Sequence, residues 1–343
     1  MIAESVEANY LKLGIRPENL RIKAGVDHFH DVQTMSNKDT AMLVRKLEID
    51  IVIDLGGFTG NSRPKVFAMI AAPIQVNYLV FPGTMGANYI DYIVADHTLI
   101  PIDKQNHYSE KIVYMPNSYQ VNASKLNVSD KVQSRNKLGL SPNQFVFCCF
   151  NNAYKITPEI FSSWMRILHK VQGSQLWLLT NNNVTLENLK KEATNQGINE
   201  NRLVFASYVS ISKHLNRIKH ADLFLDTRPY NAHTTSSDAL RMGLPVLTCI
   251  GKSFPSRVAA SILNSLSLTE LITETEEDYE SLAIELATNP IKLKSIKDKL
   301  IHNLSSAPLF DTPLFARNLE SAFKTMYEKH QNGIKPEHIY VNY

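Results

Sequence analysis

The sequence predicts an α/β chain of two Rossmann-like domains, and three observations predict it. Its 343 residues exceed one ordinary core of about 100 to 200 residues. Short apolar runs alternate with longer helical patterns, and this series occurs twice. Between the two series, Pro116 to Ser141 turns polar and reads as an interdomain linker. The expected domains are therefore 1–122 and 123–343, with the terminal helix crossing back onto the first.

In the first series Ile51 to Leu55, Ile74 to Val80 and Ile93 to Ala95 read as strands, with Arg63 to Ile70 as a helix, and the series ends near Met115. In the second, Phe145 to Phe150, Gln175 to Leu179, Arg202 to Phe205, Asp222 to Leu225 and Pro245 to Thr248 read as strands, each followed by a helical pattern. That is a full Rossmann-like count. Leu319, Ala322, Phe323 and Met326 form an apolar stripe on a helix over Ala316 to His330.

Composition narrows the class. Hydrophobic residues at 44% and charged residues at 20% fit a folded enzyme rather than a disordered chain. A net charge of +3 is too small and dispersed to imply a nucleic-acid or membrane-surface partner, so an anionic ligand must be held locally. Cys148, Cys149 and Cys249 lie in apolar runs and read as reduced packing thiols. Met1 to Leu13 lacks a signal-peptide pattern, and Val66 to Phe81 is broken by Pro73, Gln75 and Asn77, so a cytoplasmic chain without a membrane span is expected. No internal repeat is visible.

Ligands of open α/β sheets bind beyond the carboxyl ends of strands, so the loops there carry the functional reading. After the strand ending at Phe150, Thr157 caps a helix with Pro158 at its first position, and Lys155 stands at the strand exit. A lysine opposes the dipole at a helix entrance, so either an anion lies between the two or the lysine is solvated. After Leu225, the stretch Asp226 to Asp238 leads into a helix starting near Ser236, with Thr234 or Thr235 as its cap. Free N–H groups and hydroxyls there suit a diphosphate. Asp238 accepts from a ribose hydroxyl or closes a capping box on Thr235. His233 stands beside this cradle, placed to donate to a leaving phosphate or a sugar hydroxyl. His214 and Arg217 share one helix face and either hold a base and ribose or form an exposed polar face.

The sequence contains no Asp-x-Asp pair of the kind that chelates metals in many sugar transferases. Asp27-His28-Phe29-His30-Asp31 would turn both histidines one way on a strand, but two ligands do not make a metal site. No metal or other cofactor is expected. Gly56-Gly57-Phe58-Thr59-Gly60 and Phe81-Pro82-Gly83-Thr84-Met85-Gly86 match neither the dinucleotide fingerprint nor the P-loop, and read as sugar contacts or as ordinary turns.

Taken in order, Pro73-Ile74-Gln75, Phe81-Pro82-Gly83-Thr84, Asp91-Tyr92, Tyr108-Ser109-Glu110-Lys111, Phe150-Asn151 with Tyr154-Lys155-Ile156, Leu225-Asp226-Thr227, Asn231-Ala232-His233-Thr234-Thr235 and Ser256-Arg257-Val258-Ala259-Ala260-Ser261 resemble the catalytic region of bacterial O-GlcNAc transferases, GT-B glycosyltransferases. The resemblance implies two Rossmann-like domains facing a cleft, the first incomplete here. It implies that Lys155 contacts a UDP diphosphate, that His233, Thr234 and Thr235 line the phosphates and sugar, that Asp238 meets the ribose, and that His214 and Arg217 meet the nucleoside. Asn152 belongs to the same pocket, with Pro82 and Tyr230 on its sugar side; Lys155 and His233 are the expected catalytic residues.

The plant O-fucosyltransferase branch, which uses GDP-fucose, lacks the histidine and aspartate that stand here as His233 and Asp238, so UDP is favoured. Tyr230 and Val80 replace smaller residues near the N-acetyl group of the animal enzymes, which leaves UDP-glucose open beside UDP-GlcNAc. A family lysine near Ile211 is missing, and so is a His-Pro segment of the first domain. The implied activity is inverting, metal-independent transfer of a hexosyl group from a UDP-sugar to a protein Ser or Thr. The alternatives are a UDP-sugar-binding fragment or split subunit that needs an upstream TPR-containing, His-bearing segment, and an epimerase or small-molecule transferase of the same fold.

Overall fold

The computed structural model describes residues 17–128 and 134–342. The signal-peptide reading of Met1 to Leu13 lies outside the described residues, as does part of the polar stretch before Ser141. Two compact units are present: the described residues up to Tyr119 together with those from Ala316, and Gln120–Phe315.

The first unit opens with α1 (Pro17–Ala24), α2 (Asn37–Lys46), β1 (Ile51–Asp54), α3 (Pro64–Ala68), β2 (Ile74–Asn77), β3 (Tyr92–Asp96) and β4 (Lys111–Met115). The second holds β5 (Val146–Cys149), α4 (Pro158–Lys170), β6 (Gln175–Leu179), α5 (Asn183–Asn195), β7 (Leu203–Ala206), α6 (Ile211–Ile218), β8 (Leu223–Leu225), α7 (Thr234–Arg241), β9 (Val246–Cys249), α8 (Val258–Ser265), β10 (Ile272–Thr273), α9 (Glu276–Thr288) and α10 (Pro290–Leu304). The chain then runs through α11 (Thr312–Gln331) to β11 (Ile339–Tyr340), which pairs with β4 in the first unit.

Both sheets are parallel: β1-β2-β3-β4-β11 in the first unit and β10-β9-β8-β5-β6-β7 in the second. Every residue of β2, β3, β5, β6, β8 and β9 is buried, which is why these strands read as unbroken apolar runs rather than as alternating ones. β10 and β11, two residues each, are too short to leave such a signal.

The α2 helix starts where Ser36 Oγ accepts from the Asp39 N–H at 3.1 Å. The α3 helix stops earlier than the sequence pattern suggests, because Ile70 turns to φ +51°, a region that β-branched residues seldom enter. Arg45 offsets that strain by donating to the carbonyls of Met69 and Ile70. The segment 27–31 is not a strand, so its two histidines are not arranged as expected, and no group of potential metal ligands occurs among the described residues. None of the helices among the described residues is long and apolar enough to cross a membrane. The three cysteines are buried and unpaired.

Candidate functional site

In chain order the second sheet runs sixth, fifth, fourth, first, second, third, so its topology reverses between β8 and β5. In open α/β sheets the loops leaving two such strands diverge, and the crevice between them is where ligands bind. Nine of the ten sequence-predicted residues sit on the β5, β8 and α6 sides of this unit; Pro82 lies in the first unit, on the loop after β2.

Asn151, 2% exposed, links the two loops. Its Nδ2 donates to Thr227 Oγ1 at 2.7 Å and to Asp226 Oδ1 at 3.3 Å, and its Oδ1 accepts from Thr235 Oγ1 at 2.5 Å. Four residues on, Lys155 donates from Nζ to the Asn231 carbonyl at 2.8 Å and lies 3.9 Å from the centre of the Tyr230 ring. It is not a solvated lysine: burial lowers its pKa to about 8, against the opposing field of Asp226. Below it, Thr157 Oγ1 accepts from the Ile160 N–H and caps α4, with Pro158 first in the helix.

The α7 helix begins at Thr234, two residues before the expected start, and its N-cap is His233 without a side-chain capping bond. Neither threonine caps it. The Thr235 hydroxyl is committed to Asn151, so the capping box between Thr235 and Asp238 does not form. Asp238 lies half-buried near Arg241, with burial raising its pKa to about 6. The α7 backbone N–H groups, rather than the Thr235 hydroxyl proton, are what this helix offers an anion.

Burial and the charge of Lys155 lower the His233 pKa to about 3, so its ring is neutral. Its ring bonds to the Pro255 backbone, where only a carbonyl exists, and Nε2 is buried without a partner. The ring therefore donates through Nδ1 and presents Nε2 as an acceptor. The sequence reading expected His233 to donate; the Pro255 partner favours Nε2 as an acceptor instead. Tyr230 stacks on His233 with centroids 5.1 Å apart.

Arg217 is buried and donates to His214 Nδ1 from Nε at 3.0 Å and to the Ser207 carbonyl at 2.6 Å, while its guanidinium stands 5.5 Å from the Phe150 ring centre. The pair is not an exposed polar face. Burial, then Arg217, lower the His214 pKa to about 4, so the neutral ring accepts at Nδ1 and carries its proton on Nε2. Asn152 is exposed, and its Oδ1 accepts from Tyr208 Oη at 3.1 Å.

The sequence reading missed the residues underneath. Asp226, Asn151, Tyr208 and the Pro255 carbonyl hold the others in place; the first two stand in the motifs that carry the resemblance, but the sequence reading assigns them no positioning role. Together the crevice offers an ammonium, a helix N-terminus, a neutral imidazole acceptor and a second imidazole N–H, an array suited to a phosphorylated ligand with hydroxyls.

The probable UDP-N-acetylglucosamine–peptide N-acetylglucosaminyltransferase SEC of Arabidopsis thaliana is 37% identical over 327 residues, 94% of this chain and 34% of its own length. The corresponding Caenorhabditis elegans transferase is 26% identical, over 92% of this chain and 37% of its length. The chain thus spans about a third of the length of these relatives. Among solved structures, a Thermobaculum terrenum O-GlcNAc transferase superposes with a TM-score of 0.84 at 29% identity, over 92% of this chain and 60% of that one. The lipopolysaccharide glycosyltransferase WaaG, at 14% identity and a TM-score of 0.50 over 82% of this chain and 94% of that one, shares the fold alone. The two parallel α/β units are those of the GT-B class. The profile of glycosyl transferase family 41 matches residues 18–129 and 121–319, and the chain belongs to that family, as an O-GlcNAc transferase-like region.

Proposed function

We propose that the second unit binds a UDP-sugar at the β5–β8 crevice and that the protein transfers the hexosyl group, GlcNAc or a close relative, to a Ser or Thr hydroxyl of a protein, with inversion and without a metal. The observation that carries this reading is Lys155, held by Asn231 and Tyr230 at the topological switch point and close enough to the α7 entrance to depress the His233 pKa. When the bond from the anomeric carbon to the diphosphate oxygen breaks, negative charge grows on the departing phosphate. An ammonium and free helix N–H groups fixed beforehand stabilise that charge without reorganising, and they supply the positive charge that a metal supplies elsewhere.

His233 Nε2 accepts from a sugar hydroxyl, Asp238 from the ribose, and the His214 Nε2–H with Arg217 faces the nucleoside; Asn152, Thr234 and Thr235 line the same ligand. The names of the relatives, which specify UDP-N-acetylglucosamine and peptide, support the donor and acceptor classes. Pro82 remains a proposed contact of the donor sugar.

Isothermal titration with UDP and GDP tests the donor reading. Selective UDP binding, weakened roughly 10–100-fold by Lys155→Ala, is expected. Equal affinity for both nucleotides, or a Lys155→Ala protein that binds like wild type, would refute it. Transfer to a Ser/Thr peptide from UDP-GlcNAc against UDP-glucose tests the sugar.

A further inference from the structure

We infer that Asp226, which lies beneath the crevice, is a positioning residue for the diphosphate contact: it locks the loop that grips Lys155 and supplies the negative field that keeps this lysine cationic. The inference rests on the proposed role of Lys155.

The geometry begins with a fully buried carboxylate directly after β8. Oδ1 accepts from the N–H groups of Thr227 at 2.8 Å and Ala232 at 2.6 Å, and from Asn151 Nδ2 at 3.3 Å; Oδ2 accepts from Thr248 Oγ1 at 2.7 Å. One side chain thus ties the two ends of the loop 226–232 together. Inside the loop, Thr227 Oγ1 donates to the Tyr230 carbonyl at 2.6 Å and Asn231 Nδ2 to the Thr227 carbonyl at 2.9 Å. Tyr230 and Asn231, so fixed, are the residues that hold Lys155.

All four donors to Asp226 are neutral, so its charge is not spent on an ion pair. Around it stand Cys149 from β5, Cys249 from β9 and Tyr279 from α9, all raised in pKa by burial and hence uncharged. His233, on the same side of the crevice as Lys155, is neutral, and Arg228 of the loop pairs with Glu276. Lys155 is the cation whose field acts on Asp226, and Asp226 is the carboxylate whose field acts on Lys155. Burial raises the Asp226 pKa to about 7, so the carboxylate is ionised in the range near pH 8 where Lys155 would otherwise shed its proton.

Asp226→Asn separates field from framework. The amide keeps an acceptor for Thr227 and Ala232 and places an NH2 against Thr248 Oγ1, which accepts after rotating its own proton. UDP binding is measured calorimetrically from pH 6.5 to 9.5, with Tm recorded at each pH. The wild type loses affinity above about pH 8; Asp226→Asn is expected to lose it about one pH unit lower or more, at a Tm no lower than wild type and higher above about pH 7, where the native carboxylate is charged. Thr248→Val, which removes one donor to the carboxylate and so raises its pKa, should move the decline in the same direction by less. If the wild type binds UDP with this decline and neither variant moves it, the inference falls, whatever either variant does to Tm. If the wild type does not bind UDP at any pH, the proposed function falls instead.

Discussion

Lys155 Nζ and the carbonyl oxygen of Asn231 stand 2.8 Å apart, so the ammonium is aimed by the backbone of the neighbouring loop and not by a carboxylate. A neutral partner leaves the positive charge available to a ligand, while burial brings the lysine pKa down to about 8. Anion binding favours the charged form, so affinity for UDP is highest below pH 8 and falls as pH rises through that value. The fall should approach tenfold per pH unit. Lys155→Arg, whose guanidinium does not titrate in this range, is expected to flatten the profile between pH 7 and 9.5 even where it binds more weakly. Competition titrations across that range decide the matter, and a wild-type profile that stays flat would sink the prediction.

The acid side is governed by histidines. His214 and His233 have folded pKa values lowered to about 4 and about 3, so both contribute stability that is present above the ordinary histidine pKa of about 6.5 and lost as pH falls toward those values. Asp226 and Asp238 act oppositely: their folded values are raised to about 7 and about 6, so their contribution is present below about pH 4 and lost as pH rises. The two effects overlap between pH 4 and 6.5. Thermal melts over pH 4–7.5 should therefore show His233→Gln with a shallower loss of Tm on acidification than wild type. A variant melting curve parallel to wild type at every pH would contradict this.

How far the sequence disclosed these sites follows from what each depends on. Buried parallel strands announce themselves as apolar runs, and β6 lies at Gln175–Leu179 as its pattern predicts. Thr157 and Pro158 are local signals and were legible for the same reason. What was not legible depends on partners far along the chain. The Thr235 hydroxyl is taken by Asn151, 84 residues away, and a backbone bond to Pro255 decides which nitrogen His233 exposes. Capping propensity alone assigns Thr235 to the helix end; the buried acceptor of Asn151 wins because an unpaired amide oxygen at that depth costs more than an uncapped helix.

That competition can be measured. Thr235→Val leaves Asn151 Oδ1 buried without a donor, and Asn151→Ala leaves the Thr235 hydroxyl without its acceptor and takes one donor each from Thr227 Oγ1 and Asp226 Oδ1, which keep their other bonds. Each single change is expected to destabilise by about 1–3 kcal/mol in denaturant titrations. Because they share one hydrogen bond, the double variant should cost less than the sum, with a coupling of about 0.5–3 kcal/mol. Strict additivity would mean that the bond does not stabilise the fold.

In the first unit, Gly57 sits at φ +55°, and a methyl group built on it would lie 2.2 Å from Cβ of Phe81. The Phe81 ring cannot swing aside cheaply, since it packs edge-on against Phe58 with centroids 5.3 Å apart. Gly57→Ala therefore meets both a backbone penalty and a steric one, and should destabilise by about 1–3 kcal/mol. Combining it with Phe81→Ala leaves the added methyl against the remaining Cβ, so only part of the loss should return. Two compact units need not unfold together, so the loss is best read by hydrogen exchange at the amides of β1 and β2 rather than from a single melting midpoint. Protection lost there, with β5 and β8 unchanged, is the expected pattern; equal loss in both sheets would show that Gly57 matters through global stability and not through its contact with Phe81.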